Sequence, residues 1–124
     1  MNFIPFYGGY VAGARQVSIG EARIAVPPLA EAVSERELLC GVRPEHVRFD
    51  ASSALRAEVV GTEYLGHSQI VTLSTAVGSM LRAKVDVEVP AQRGDHVGLA
   101  FDAAAVSLFD QQSGRALALE RSAQ

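Results

Sequence analysis

Apolar and polar residues alternate with a period of two along much of this sequence. The clearest run covers residues 80–87, where Leu, Ala, Val and Val alternate with Met, Arg, Lys and Asp. Because successive side chains of a strand point to opposite faces of its sheet, this period predicts half-buried strands. About eight or nine short segments of this kind, joined by turns, predict an all-β fold, a closed or nearly closed antiparallel barrel.

Glycines mark several of the predicted turns. Residues 16–19 and 22–26 are predicted to form a hairpin across Gly20-Glu21, since glycine at the first turn position is typical of a type II′ turn. Gly61 interrupts a later strand, and we expect a bend or bulge there. Residues 63–67 are expected to form a turn. Glycine therefore indicates both where the chain reverses and where a strand is irregular.

The two ends of the chain carry features of their own. Residues 1–9 mix apolar residues with Pro and Gly, and such a segment is expected to dock, either on this domain's barrel or on a neighbouring domain. Residues 106–109 and 115–119 are predicted to pair as a last hairpin. Residues 120–124 are polar, and we expect this end to be frayed.

Composition indicates one globular domain without a nucleic-acid partner. The chain has 124 residues, of which 48% are hydrophobic and 20% charged, values typical of a globular protein. Its net charge is −3 and its basic residues are scattered, so they form no positive stripe for a phosphate backbone. Tryptophan is absent and aromatic residues are few, which leaves little for stacking single-stranded bases.

The sequence lacks the groupings that catalysis or cofactor binding requires. It contains no Gly-x-x-x-x-Gly-Lys-Ser/Thr phosphate loop, so ATP binding by that route is excluded. His46, His67 and His96 are not spaced as metal ligands, and Cys40 is the only cysteine. Ser68 follows His67 on a predicted strand, where neighbouring side chains point to opposite faces, which argues against a nucleophile–base pair. We therefore expect no enzyme activity, no metal and no cofactor.

The stretch Gly41–Val47 combines a proline, two opposite charges and a histidine at the end of an apolar run. The run predicts a buried strand that ends, or reaches a sheet edge, at Pro44, which has no N–H to donate. Arg43, Glu45 and His46 then lie at a strand end, from which side chains can reach another surface. The stretch is either an interaction site or a capped strand end with a local ion pair.

Two polar loops are further candidates for binding. They carry Glu63, Tyr64 and His67 in one loop and Arg93, Asp95 and His96 in the other. Loops at the mouth of a barrel carry binding in this architecture. The alternative is that both are solvated turns, since loops are polar in general.

Several short motifs follow one another along the chain: Met1–Phe3, Gly41–Val47, Leu99–Asp102, Ser107–Asp110 and Gly114–Leu117. Together they resemble the C-terminal regulatory domain of ATP-binding subunits in ABC importers of the sugar and glycerol-3-phosphate, or maltose-type, class. The resemblance implies that residues 1–124 form a single TOBE domain, an OB-fold-like antiparallel barrel with additional N-terminal and C-terminal strands. It also implies that residues 1–9 are the remnant of a linker from a missing ATPase domain.

The same resemblance implies a function. The domain would serve regulation and dimerisation in a bacterial subunit that imports a sugar or a glycerol-3-phosphate-like solute. It would lie in the cytoplasm, at the inner face of the cell membrane, and would hydrolyse no ATP itself. Its partners would be a second ATP-binding subunit, as a homodimer through this domain, a regulatory protein, and, indirectly, the ATPase domain and the membrane permease.

A small-ligand sensor of another ABC importer class is the main alternative. Barrels related to this family bind molybdate and other oxyanions between paired domains, through backbone amides and small polar side chains, and a sugar ligand is a further option. Ser18, Ser68, Thr72 and Ser74 are available for such contacts. No clear anion-binding nest stands out in the sequence.

Overall fold

The computed structural model describes residues 1–120 and confirms the all-β prediction. The strands are β1 (Asn2–Tyr10), β2 (Gln16–Ile19), β3 (Ala22–Ala25), β4 (Val33–Val42), β5 (Val47–Phe49), β6 (Arg56–Leu65), β7 (Ser68–Thr75), β8 (Met80–Asp86), β9 (His96–Phe101) and β10 (Ser107–Asp110). Two short 3₁₀ helices span Pro44–His46 and Ala103–Ala105. Of the end that was predicted to be frayed, residues 121–124 lie outside the described residues.

The strands form an antiparallel barrel with added strands at both ends of the chain. Five strands pair in the order β5-β9-β6-β7-β8, and β8 packs back against β5 and Pro44–His46. The first and last strands flank β4 in a second sheet of order β1-β4-β10, while β2 and β3 form a separate hairpin. This is the predicted OB-fold-like barrel, extended by an N-terminal and a C-terminal strand.

The glycine-based predictions are confirmed in two places and corrected in a third. Gly20 and Glu21 lie between the paired residues Ile19 and Ala22, and Gly20 has φ +61°. Glu21 has no positive φ, because no non-glycine residue from 1 to 120 has one. A positive φ at the first turn position alone is what a type II′ turn requires. The β6–β7 register shifts at Gly61, which is the expected bulge. The prediction of a turn over 63–67 is wrong, because β6 continues to Leu65 and pairs with β7.

The last predicted hairpin forms only in part. Phe109 bridges to Ala116, but residues 115–119 make isolated bridges, not a continuous strand. The Glu31 carboxylate holds this segment, accepting hydrogen bonds from the Arg115 guanidinium at 3.2 Å and from the Ala118 N–H at 2.7 Å. These hydrogen bonds hold the pKa of Glu31 below its usual range.

One hydrophobic core runs between the barrel and the second sheet. Its members that are 0% exposed come from β1, β4, β6, β7, β8, β9 and the position before β10: Ile4, Leu38, Cys40, Val42, Val59, Val71, Leu73, Ala83, Leu99 and Val106. In β1, β2, β3 and β7 the buried residues are separated by one outward residue, as the period of two predicts. In β4 and β9, by contrast, residues 40–42 and 98–99 are buried in succession. The core therefore fixes which face of each strand remains free for contacts.

The side chain of Asn2 joins the two sheets. Its Nδ2 donates to the Arg82 carbonyl oxygen at 2.7 Å, and its Oδ1 accepts from the Arg82 N–H at 2.9 Å. Asn2 thus pairs with β8 as a neighbouring backbone would, at an edge that no strand covers at this point. Both hydrogen bonds are partly buried, so their loss would leave backbone groups without partners.

Replacing Asn2 by alanine is expected to lower the free energy of unfolding by about 2 kcal/mol, because two backbone groups of Arg82 lose their partners. Urea denaturation followed by circular dichroism measures this loss. Gln16→Ala, an exposed polar residue on β2, is the control and should change stability by less than about 0.5 kcal/mol. Equal effects of the two substitutions would contradict the role assigned to Asn2.

Cys40 is a packed core residue on β4, with a side chain that is 0% exposed. Burial raises the pKa of its thiol to about 12. We therefore expect the folded chain to resist a thiol reagent such as 5,5′-dithiobis(2-nitrobenzoate) at pH 8, whereas the urea-unfolded chain reacts at once. Rapid labelling of the folded chain would show that β4 is not buried as described.

Candidate interaction surface

The motif Gly41–Val47 is fixed to the loop after β9. Its strand ends at Val42, Arg43 remains extended, and Pro44 opens the 3₁₀ helix. His46 Nδ1 lies 3.2 Å from Oδ2 of Asp102, and the Asp102 N–H donates to the His46 carbonyl oxygen at 3.1 Å. Two motifs that are 56 residues apart therefore meet at this point.

The three candidate residues of this motif thus have different surroundings. His46 is half-buried against Asp102, which also accepts a hydrogen bond from the Arg48 guanidinium. Arg43 and Glu45 are exposed, and within residues 1–120 their side chains make no hydrogen bond or ion pair. His46 therefore stabilises the turn, while Arg43 and Glu45 remain free to contact another surface.

The candidates Glu63, Tyr64 and His67 lie on the β6–β7 hairpin and are all exposed. Of these, only His67 lines a shallow groove of about 540 Å³. The groove also contains Glu45 and is completed by Leu65, Ser68, Lys84, Val85 and Asp86. The structure thus brings together His67 and Glu45 from two separate sequence candidates. Their charges are mixed and define no preference for one ligand class.

The third candidate loop is held by its own backbone. The Asp95 carboxylate accepts from the Gln92 N–H at 2.9 Å, and the Asp95 carbonyl oxygen accepts from the Val59 N–H at 2.8 Å. His96 pairs with Glu58 in the β6–β9 ladder. Arg93 is exposed at the tip. None of Arg93, Asp95 and His96 lines the groove with His67, so these candidates do not form one site.

The small polar residues considered for an oxyanion do not converge. Three of them lie on β7, where they alternate with buried residues and point away from the core: Ser68, Thr72 and Ser74. At about 3.3 Å per residue, the first and last of them are roughly 20 Å apart along the strand. Ser18 lies on the separate β2–β3 hairpin. A single small anion therefore cannot contact all four residues.

Sequence reasoning missed the outer face of the β1-β4-β10 sheet. We call "outer face" the surface formed by Met1, Phe3, Pro5, Tyr7, Leu39, Gly41 and Phe109. The register aligns Phe3 with Gly41 and Pro5 with Leu39, and Phe109 lies on the other side of Leu39. Phe3 is 47% exposed and Tyr7 is 62% exposed, although both belong to a regular strand.

Two aromatic residues of the outer face pack against each other. The rings of Phe3 and Phe109 meet edge to face, with centroids 5.8 Å apart. Gly41 makes room for this contact, because a Cβ there would lie 2.9 Å from Met1 Sδ and 2.9 Å from Phe109 Cε2. The signal in the sequence was that β1 is apolar on both faces: Ile4 and Phe6 enter the core, and the intervening residues do not.

Two other kinds of site are not found in residues 1–120. No helix in this part of the chain combines the length and the apolar character that a membrane crossing needs. No group of three or more His, Cys, Asp and Glu side chains is arranged there to hold a metal ion.

Comparisons with known proteins agree with this architecture. The family model for the TOBE domain matches residues 40–109, which is more than half of the chain. The sn-glycerol-3-phosphate import ATP-binding protein UgpC of Cereibacter sphaeroides is 34% identical over 119 residues, covering 94% of this chain and 32% of that protein. The chain therefore spans about a third of the length of this relative.

A solved structure has the same fold. The molybdate-bound crystal structure of the cytoplasmic molybdate-binding protein ModG matches with a TM-score of 0.65 and 18% sequence identity, covering 86% of this chain and 94% of that one. At this identity the likeness concerns the fold alone. The family match covers most of the barrel, including the Gly41–Val47 motif and the Phe101-Asp102 motif, which hydrogen bonds join. The chain therefore belongs to the TOBE domain family.

Proposed function

We infer that this chain is the accessory regulatory domain of an ABC importer's ATP-binding subunit, and that it holds two such subunits together. The solute would be a sugar or a glycerol-3-phosphate-like compound. The observation that carries this proposal is the similarity to UgpC along 94% of the chain. Residues 1–124 act as one unit, and an ATPase domain is joined to it through residues 1–9, most of which belong to the paired strand β1.

Contacts, not chemistry, perform this function. The candidate residues do not gather into a reactive cluster, whereas Arg43 and Glu45 project from a fixed turn and Phe3 and Tyr7 from a regular strand. Surfaces of this kind suit the packing of one protein against another. The domain thus works in the cytoplasm at the inner face of the membrane, next to the ATPase domain, with the permease as an indirect partner and a regulatory protein as a further one.

A chimera tests this proposal. The segment of Cereibacter sphaeroides UgpC that aligns with residues 1–124 is replaced by this chain, and the chimera is produced with its membrane and solute-binding partners. We expect uptake of glycerol-3-phosphate and ATP hydrolysis to be restored to a level within about threefold of the natural subunit, a small free-energy difference. A UgpC truncated before the segment is the control.

Two results would contradict the proposal. One is a chimera that is folded and hydrolyses ATP but supports no more uptake than the truncated control. The other is ATP hydrolysis by the pure 124-residue chain, since the proposal assigns hydrolysis to a different domain. The small-ligand alternative gains no support here, because its four small polar residues are dispersed over two sheets.

A further inference from the structure

The outer face has charges of opposite sign at its two ends. Glu37 pairs with Tyr7 in the register, and Glu35 lies against Gly9, so both acids are at the end of the sheet where β4 begins. Arg43 continues β4 in an extended conformation, with φ −76° and ψ 151°, at the opposite end. Within residues 1–120 these three side chains have no hydrogen bond or ion pair of their own.

This arrangement is complementary to itself. Glu35 and Arg43 each lie four residues from Leu39, the middle of the outer face. When two identical faces meet, a two-fold axis that lies in the interface and runs across the strands places β4 of one chain antiparallel to β4 of the other. Each acidic end then lies over the basic end of the partner. An axis along the strands would instead bring like charges together.

The apolar residues fit the same axis. Phe3 lies two residues from Pro5 on one side and Tyr7 two residues on the other, and Pro5 is level with Leu39. The rotation that brings Glu35 over Arg43 therefore also brings Phe3 over Tyr7 of the second chain. Sheets that pack face to face are about 10 Å apart, a distance that aromatic side chains from both faces fill.

We propose that the outer face is a self-association surface, whose occupant is the outer face of a second copy of this chain in the antiparallel orientation. This inference rests on the proposed function and names the surface by which two subunits are held together. The strands β1, β4 and β10 have 9, 10 and 4 residues. They give a flat footprint of roughly 350 Å², less than half of the ~800 Å² per partner in a standard interface. The chain alone therefore dimerises weakly.

The first test compares two tyrosines of equal exposure. Tyr7 on the outer face is 62% exposed and Tyr64 on the β6–β7 hairpin is 64% exposed. Sedimentation equilibrium up to about 1 mM chain measures the dimerisation constant of each Tyr→Lys variant, and circular dichroism confirms that each is folded. We expect Tyr7→Lys to weaken dimerisation at least about tenfold and Tyr64→Lys to leave it unchanged.

The second test determines the orientation. Arg43→Glu places an acid over Glu35 of the second copy at both ends, and we expect it to weaken dimerisation about tenfold at low salt. The double variant Glu35→Arg with Arg43→Glu restores both pairs and should recover the wild-type constant. In the parallel orientation each position faces its own copy, so the double variant would bring no recovery.

Each remaining outcome counts against the proposal. Self-association would be overturned if the wild-type chain stayed monomeric at about 1 mM. The same holds if the monomeric chain bound an added ATPase domain through this face. Dimers that respond equally to Tyr7→Lys and Tyr64→Lys would assign pairing to another surface. Failure of this inference can be distinguished from failure of the proposed function. If the chimera supports uptake although the outer face does not self-associate, the proposed function is retained and only this inference is contradicted.

Discussion

Replacing Gly98 by alanine is expected to cost the folded chain about 3 kcal/mol or more. A Cβ at Gly98 would overlap the Asp50 carbonyl oxygen and lie 3.1 Å from the Ser53 carbonyl oxygen. Both are backbone atoms of the turn that crosses β9, so they cannot rotate away as a side chain does. The Asp50 N–H also donates to the Gly98 carbonyl oxygen at 2.9 Å, and moving the turn would break this hydrogen bond.

Urea denaturation gives the loss, and another strand glycine provides the matched control. Gly61 has no atom within 4 Å of its Cβ position, and its φ is not positive. Gly61→Ala should therefore change the free energy of unfolding by less than about 0.5 kcal/mol. If the two substitutions had equal effects, the close approach of the turn to β9 would be refuted.

Replacing Gln69 by glutamate is expected to destabilise the fold by roughly 3 kcal/mol at pH 8. Gln69 is 1% exposed, and its Nε2 donates to the carbonyl oxygens of Asp86 at 3.1 Å and Val89 at 2.7 Å. Its Oε1 has no hydrogen-bond partner in residues 1–120. An ionised carboxylate there would face carbonyl oxygens without a proton to donate, in a place that water does not reach.

The loss should depend on pH in a defined direction. Burial raises the pKa of a carboxyl group at this position above its unfolded value of about 4.3. The ionisation penalty is therefore absent below about pH 4, grows as the pH rises towards the folded pKa, and is complete above it. Comparing Gln69→Glu with wild type at pH 4 and pH 8 measures this difference. Gln16→Glu, on the exposed side of β2, is the control, and its effect on stability should differ very little between pH 4 and pH 8.

Strands and turns could be predicted because their signals are local. The alternation in residues 80–87 follows from one face of β8 meeting the core. Gly20 has a positive φ that other residues adopt less readily, and Gly61 lies where the β6–β7 register shifts. The predicted turn over 63–67 is wrong because polar residues with a glycine indicate a loop, whereas β6 extends to Leu65. Pairing with β7 stabilises Tyr64 and its neighbours as strand.

The contacts that fix the fold could not be predicted, because they join distant residues. Asn2 and Arg82 are 80 positions apart, and no local pattern indicates that an amide will pair with a backbone edge. His46 was a candidate for binding, whereas Asp102 holds it within the fold. The outer face could not be predicted for another reason. When a strand is apolar on both sides, its sequence does not indicate which side packs into the core.

The most direct test of the account is to map where this chain contacts itself. Amide chemical shifts, measured by NMR from about 10 μM to about 1 mM, report association in the range expected for a weak interface. The account predicts shifts that change with concentration at Phe3, Tyr7, Leu39 and Phe109, and constant shifts at Tyr64 and His67. Changes confined to the β6–β7 hairpin, or no changes at any concentration, would contradict the claim that this domain works through its outer face.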